Sequence, residues 1–162
     1  MTPSETPDHP AIDIAPLSED DAGEVLTIQR AAFVSEAQIY GSADMPPLTQ
    51  TLDEMRAELR MGAGLGARVD GRLVGAIRFR EDGDLLLIGR IAIAPDMQGE
   101  GIGRALLEAA EQRSSATTAE LFTGSLSEAN IRLYTSCGYE ESERVPDGDG
   151  TAQVFLRKLL AR

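Results

Sequence analysis

The run Ile91-Ala-Ile-Ala-Pro-Asp-Met-Gln-Gly-Glu-Gly-Ile-Gly-Arg-Ala-Leu-Leu107 decides the fold. An apolar strand leads to Pro95, a short spacer follows, glycines recur at 99, 101 and 103, and an amphipathic helix opens at about Gly103. Glycine carries no Cβ, so a loop of this composition lets the backbone lie directly against a ligand. It also aims successive N–H groups into one concavity at a helix N-terminus. Unpaired donors and the positive end of the helix dipole meet there, which favours an anion such as a pyrophosphate.

Two familiar glycine loops do not fit. A triphosphate-cradling loop requires Gly-x4-Gly-Lys-Ser/Thr, and Arg104-Ala105 follows the last glycine here. The dinucleotide fingerprint requires Gly-x-Gly-x-x-Gly directly after a strand, whereas the spacing is Gly99-x-Gly101-x-Gly103 and Pro95 to Gln98 intervene. Gln98-Gly-Glu-Gly-Ile-Gly-Arg104 instead resembles the Gln/Arg-x-x-Gly-x-Gly/Ala signature of the GNAT superfamily of N-acetyltransferases. The strand Ile91-Ala92-Ile93 is similar to that family's acyl-binding strand. The resemblance implies acetyl-CoA as co-substrate, held by Ile91, Ala92 and Ile93 and by Gln98, Gly99, Glu100, Gly101, Ile102, Gly103 and Arg104.

A second motif, independent of the first, lies about thirty residues downstream. Asn130-Ile-Arg-Leu-Tyr-Thr-Ser-Cys-Gly-Tyr139 resembles the family's closing Asn-x-x-x-Tyr-x-x-x-Gly-Phe/Tyr. This implies that Asn130 belongs to the cofactor side and that Tyr134 is catalytic. Amine attack on a thioester expels a thiolate, and a phenol with a pKa near 10 can protonate it as it leaves. The tetrahedral oxyanion needs a preorganised donor, for which a free backbone N–H near Ile93 is suited.

The flanking sequence reads as α/β (α+β): a central, mixed but mostly antiparallel sheet of about seven strands flanked by four helices. Ile12 to Ile14, closed by Pro16, is a first strand. A helix capped by Ser18 runs to about Glu36, and Ala37 to Pro47 is held non-helical by glycine and prolines. Thr51-x-x-Glu54 is a capping box for a second helix striped by Leu52, Met55 and Leu59, with Gly62, Gly64 and Gly66 ending it. Asp70-Gly71 predicts a tight hairpin, with a return strand over Arg72 to Arg80 and a second turn at Glu81 to Asp84. Leu85 to Ala94 is apolar enough to be central, and Gly89 marks a bulge. In the family this chain resembles, the strand splays there to form the cleft. Leu121 to Thr123, a helix capped by Ser127 and ended by Gly138, and strands over Tyr139 to Val145 and Thr151 to Leu160 complete the order.

At 162 residues the chain suits one domain over 12–162, preceded by a flexible tail over 1–11. That tail has neither the cationic nor the apolar region of a signal peptide, and no apolar run approaches a membrane span. The sole cysteine, Cys137, precludes an internal disulfide and suits a cytoplasmic protein. The only histidine is His9, so neither a Cys–His pair nor a metal site is expected. A net charge of −12 argues against nucleic acid as a partner and suits an amine acceptor, either a small molecule or a peptide. Lys158 is the only lysine beside fourteen arginines, which reads as composition bias.

Phe33 and Tyr40, with the Met45-Pro-Pro47 turn, are expected to line the acceptor end, because apolar residues in a non-helical segment often face a site. Glu36, Asp44 and Glu120 are alternative general bases. The acceptor stays open among antibiotic, polyamine, amino acid and protein N-terminus, and a homodimer is compatible with the chain. Alternatives to an N-acetyltransferase are a different acyl-CoA donor or a non-catalytic CoA-binding module.

Overall fold

The computed structural model describes residues 11–162, so the expected tail falls outside it except for Ala11. The strands are β1 Asp13–Pro16, β2 Gly64–Val69, β3 Arg72–Asp82, β4 Leu85–Ile93, β5 Thr118–Gly124, β6 Glu140–Pro146 and β7 Ala152–Leu159. They form one sheet in the order β1-β2-β3-β4-β5-β7-β6. Every neighbouring pair is antiparallel except β4 and β5. The helices are α1 Ala22–Tyr40, α2 Pro46–Thr49, α3 Leu52–Arg60, α4 Ile102–Arg113 and α5 Glu128–Ser136.

Local chemistry accounts for most boundaries. Asp70 and Gly71 have φ of 50° and 80°, as a two-residue turn between twisted strands demands. Thr51 and Glu54 exchange hydrogen bonds across the start of α3 (3.0 and 3.2 Å), forming the capping box. The edge strand β6 is exposed throughout and carries Glu140, Glu141, Glu143 and Arg144, charges that discourage pairing with another chain.

Three expectations are corrected. Helix α1 continues four residues beyond Glu36 to Tyr40, because nothing breaks it before Gly41. Gly41 takes the left-handed conformation (φ 68°) and donates its N–H to the Ala37 carbonyl. The segment expected to be wholly non-helical also contains α2, a single turn opened by Pro46, where a missing N–H costs nothing. Finally, Gly62 (φ 76°) ends α3, but Gly64 and Gly66 lie inside β2. A Cβ at Gly66 would collide with Leu17 and Leu73, so that glycine serves close packing.

The core has two parts. Leu17, Val25, Leu26, Met55 and Leu59 pack with Leu73, Ala76 and Ala92 under α1 and α3. Ile77, Leu86, Ile102, Leu106, Leu107, Tyr139, Val154 and Leu156 form the larger cluster under α4. Each fully buried Leu or Ile contributes about 1.5–3 kcal/mol. A Cβ at Gly75 would lie 2.8 Å from Ile102 and 3.1 Å from Leu106, so this glycine sets how closely the start of α4 approaches β3. Gly75→Ala is therefore expected to cost about 1–3 kcal/mol by overpacking, read as a shift of the urea midpoint at constant slope.

Candidate active site

The site begins with two register events in β4. Between Ala76↔Ala92 and Arg78↔Gly89, β4 holds one more residue than β3. The extra length is taken up at Arg90, which has φ of 47°. The bulge thus falls one residue after the glycine that announces it, on a residue for which left-handed backbone is uncommon. Its guanidinium is fastened to Gln50 Oε1 at 2.6 Å. Gln50 accepts from the buried Gln29 at 3.0 Å, and Gln29 in turn accepts from Arg78. This polar chain ties α1 and the α2–α3 junction to the sheet at the bulge, and neither Gln50 nor Arg78 carries a recognisable signal in the sequence.

The second event is the end of the β4–β5 ladder. The two strands pair only over Leu85↔Thr118, Leu86↔Ala119 and Leu87↔Glu120 and then part. Ala94 donates its N–H to Val74 O at 2.8 Å. Since N–H directions alternate along a strand, the Ile93 N–H points to the opposite edge, into the gap that β5 has left.

That gap opens into a cleft of about 510 Å³. Ile91 and Ile93 form one wall, α5 supplies Asn130, Leu133 and Tyr134, and α1 supplies Phe33, Glu36 and Ile39. The glycine loop closes the end. Gly99 and Gly101 have φ of 81° and 80°, and Gly101 is the left-handed N-cap of α4 without a capping side chain. The N–H groups of Ile102, Gly103 and Arg104 find no acceptor among the described residues, as expected of the first turn of a helix. They lie along the cleft lining, where an anion would satisfy them. Two contacts hold the loop: Arg72 grips Asp96 with two bonds of 2.7 Å, and Gly103 packs beneath Leu133 with a virtual Cβ separation of 3.0 Å.

Of the residues singled out from the sequence, Ile91, Ile93, Gln98, Gly99, Gly101, Ile102, Gly103, Arg104, Asn130, Tyr134 and Phe33 line this one cleft. Ala92 faces the other way, into the core under α1 and α3, and Glu100 is not among the lining residues. The Arg104 guanidinium caps the end of α5 by donating to Ser136 Oγ at 3.1 Å. Tyr40 does not line the cleft. Its hydroxyl accepts from Leu126 N–H (3.1 Å) and shares a hydrogen bond with Ser127 Oγ (2.8 Å), so it braces α1 against the β5–α5 connection. The Met45 to Pro47 turn lies outside as well, with Pro47 O accepting from Gln29 at 2.8 Å.

Tyr134 is buried, packs edge-on to Tyr139, and has no hydrogen-bond partner for its hydroxyl among the described residues. Burial, reinforced by the nearby Glu36 charge, raises its phenol above the ordinary range, so it stays protonated at any neutral pH. Tyr139 is raised likewise, by burial and then by Glu111. A phenol whose pKa is higher folded than unfolded binds the extra proton only in the native state at high pH. Stability from this pair is therefore present below the unfolded pKa of about 10 and is lost as pH rises above it. Arg78, which burial pulls down to about 10, acts in the opposite sense, but it is one group against two. Denaturant midpoints measured from pH 8 to 11 are expected to fall only above about pH 10, and Tyr139→Phe is expected to soften that fall.

The three carboxylates left open as bases occupy different places. Glu120 accepts from Arg157 at 2.7 Å and borders a separate hollow lined by Phe122 and Phe155. Asp44 is exposed in the turn before α2. Glu36 lies in the cleft, where it accepts from Ser127 Oγ (2.5 Å) and Asn130 Nδ2 (3.4 Å). Ser127, expected as a helix cap, makes no capping bond and turns its hydroxyl to Glu36 and Tyr40 instead.

The splayed strands, the unpaired loop N–H groups and the Tyr134 phenol thus meet in one cleft. Residues 62–141 match the family described as Acetyltransferase (GNAT) domain, and the chain belongs to that superfamily. A curated relative, UPF0157 protein YqkA of Bacillus subtilis (strain 168), is 31% identical over 130 residues. That match covers 80% of this chain but 37% of the relative, so the chain spans little more than a third of that protein. Among solved structures, an acetyltransferase of the GNAT family from Streptococcus agalactiae 2603 superposes with TM-score 0.78 at 15% identity, covering 93% of this chain and 96% of that one. The PaiA N-acetyltransferase of Thermoplasma acidophilum, solved in complex with coenzyme A, gives 0.74 at 19%, covering 92% and 99%. The ribosomal-protein-S18-alanine N-acetyltransferase of Escherichia coli gives 0.74 at 21%, covering 94% and 96%. At these identities the structures bear on the fold alone. No helix among the described residues is long and apolar enough to cross a membrane, and no cluster there could hold a metal ion.

Proposed function

We propose that residues 12–162 act as one acetyl-CoA-dependent N-acetyltransferase domain, moving an acetyl group to a primary amine by direct attack within a ternary complex. The first turn of α4 and the glycine loop receive the pyrophosphate of CoA. Ile91 and Ile93 flank the acyl-bearing arm as it enters the gap between β4 and β5, and Asn130 borders the same passage. Phe33 lies toward the acceptor. As the amine adds to the thioester carbonyl, the Ile93 N–H meets the developing oxyanion. Tyr134 gives its proton to the departing sulfur. Holding both substrates in one cleft supplies the orientation that an uncatalysed encounter lacks.

The observation that carries this reading is the row of unsatisfied N–H groups at Ile102 to Arg104 beside the parted strands. Gly101 offers a clean test, because nothing lies within 4 Å of a Cβ built there. Asn and Asp are the side chains that best tolerate its left-handed backbone, and both are good N-caps. Gly101→Asp places a carboxylate against the pyrophosphate, while Gly101→Asn adds the same bulk without charge. Calorimetry is expected to show CoA binding roughly 10- to 100-fold weaker in the Asp variant than in the Asn variant, from like-charge repulsion of about 1–3 kcal/mol at a partly solvated site. Equal affinity in two folded variants would place the pyrophosphate elsewhere.

A further inference from the structure

Glu36 sits in the cleft without a cation. Its carboxylate is held by two neutral donors, the Ser127 hydroxyl on one oxygen and the Asn130 amide on the other. No ion pair involving it exists among the described residues. The geometry is supported from behind. Ser127 is buried and also bonded to Tyr40, Asn130 also donates to the buried Thr123 at 3.3 Å, and Gly124 cannot take a Cβ without striking the Tyr40 hydroxyl. Four elements thus aim one carboxylate at the chamber that Tyr134 faces. Among the described residues, the only other carboxylate lining that cleft is Glu128. The one cation lining it, Arg104, lies at the glycine-loop end and is turned to Ser136. The cleft is therefore cationic where an anionic cofactor would lie and anionic at the far end.

We infer that Glu36 is the residue that receives the ammonium group of the acceptor and takes its proton. The inference rests on the acetyltransferase reading above. Glu36 first takes one proton from the ammonium and passes it to solvent, leaving a neutral amine. The nitrogen lone pair then attacks the thioester carbonyl carbon, so an N–C bond forms and the C–S bond breaks with its electron pair on sulfur. One nitrogen-bound proton goes to Glu36 and the phenolic proton of Tyr134 goes to the thiolate. Transfer of the proton on Glu36 to the Tyr134 phenolate restores both residues, and one proton is released per turnover. The shared cleft allows this reset without a further group. The role falls to Glu36 rather than to Glu120 or Asp44 because only Glu36 borders the cleft.

The titratable and charged groups around Glu36 are Tyr40 on its own helix, Tyr134 and Glu128 on α5, and Arg104 across the cleft. A pH profile isolates the first of the two proton transfers to Glu36, which is needed only while the amine is protonated, whereas the second persists at every pH. The test uses the full chain, acetyl-CoA and a panel of spermidine, cadaverine and an Ala-initiated peptide, with thiol release followed from pH 6 to 10. Glu36→Gln is expected to bind CoA normally and to lose roughly 10²- to 10³-fold in kcat at neutral pH. The loss should shrink steadily as pH approaches the pKa of the amine, and Glu36→Asp should recover part of the rate. A loss of the same factor at every pH would make Glu36 a structural residue and overturn the inference, as would wild-type rates throughout. Should Glu36→Gln unfold, Glu36→Asp carries the same comparison, since it draws the carboxylate back from the amine by one methylene and keeps its charge. A wild-type chain that binds no CoA or turns over none of the panel overturns the parent reading together with this one. A defect confined to the Glu36 variants leaves the parent reading standing.

Discussion

Tyr134→Phe is expected to lower kcat by roughly 10²- to 10⁴-fold, the range for a positioned general acid, while leaving CoA affinity and the fold intact. The ring packs against Tyr139 with centroids 6.4 Å apart, a contact phenylalanine keeps. The hydroxyl bonds to no described residue, so removing it strands no protein donor or acceptor. Both facts make the substitution nearly silent in stability, and its raised phenol pKa means that the lost group was a proton donor at all working pH values. Product release can mask a chemical defect in steady state. Single-turnover measurement with preformed ternary complex reads the acyl transfer directly. A wild-type single-turnover rate in the folded variant would make Tyr134 a packing residue.

Lys158→Met is expected to be strongly destabilising although it lies outside the cleft. Lys158 donates to Glu111 Oε1 at 2.7 Å, Tyr139 donates to Glu111 Oε2 at 2.9 Å, and the ammonium also lies 5.6 Å from the Tyr139 ring centroid. The Glu111 side chain is 10% exposed and that of Lys158 26%, so water cannot replace the lost partner well. Removing one member of such a pair leaves a buried charge uncompensated and costs about 3 kcal/mol. For a chain of this size that is a fall in Tm of roughly 6–12 °C. The double variant Lys158→Met/Glu111→Gln is expected to recover part of the loss, because the stranded charge is gone. A single variant within about 0.5 kcal/mol of wild type, the ordinary range of surface changes, would show that Glu111 is adequately held by Tyr139. Composition alone makes this lone lysine look like bias. Its role depends on β7 lying beside β5, which places residue 158 near the end of α4.

The glycine-loop end of the cleft is legible in the sequence because it is made of backbone. Gly99, Gly101 and Gly103, the apolar strand before them and the helix after them are consecutive in the chain, and their conformations follow from local sterics and capping. The same holds for the Asp70-Gly71 turn and the Thr51 and Glu54 box. Tyr134 and Asn130 are legible through a second local spacing. Tyr40 is not, because the glycine and prolines that follow it suggest a loop. Four more residues of helix carry its hydroxyl to Ser127, 87 residues away in the chain.

Sequence by itself thus determined the mixed, mostly antiparallel sheet, the glycine-loop helix and the identity of the phenol, each through interactions spanning a few residues. Tertiary structure alone decided that β7 enters between β5 and β6, that the bulge strain falls on Arg90, and that Glu36 rather than Glu120 or Asp44 shares the cleft with Tyr134. These are choices between side chains of equal local character. What separates them is which distant donors surround each carboxylate: Ser127 and Asn130 for Glu36, Arg157 for Glu120. Contacts between residues 91 positions apart leave no periodicity in the chain, because they arise only once the packing of both cores has fixed where α1 ends against the β5–α5 connection.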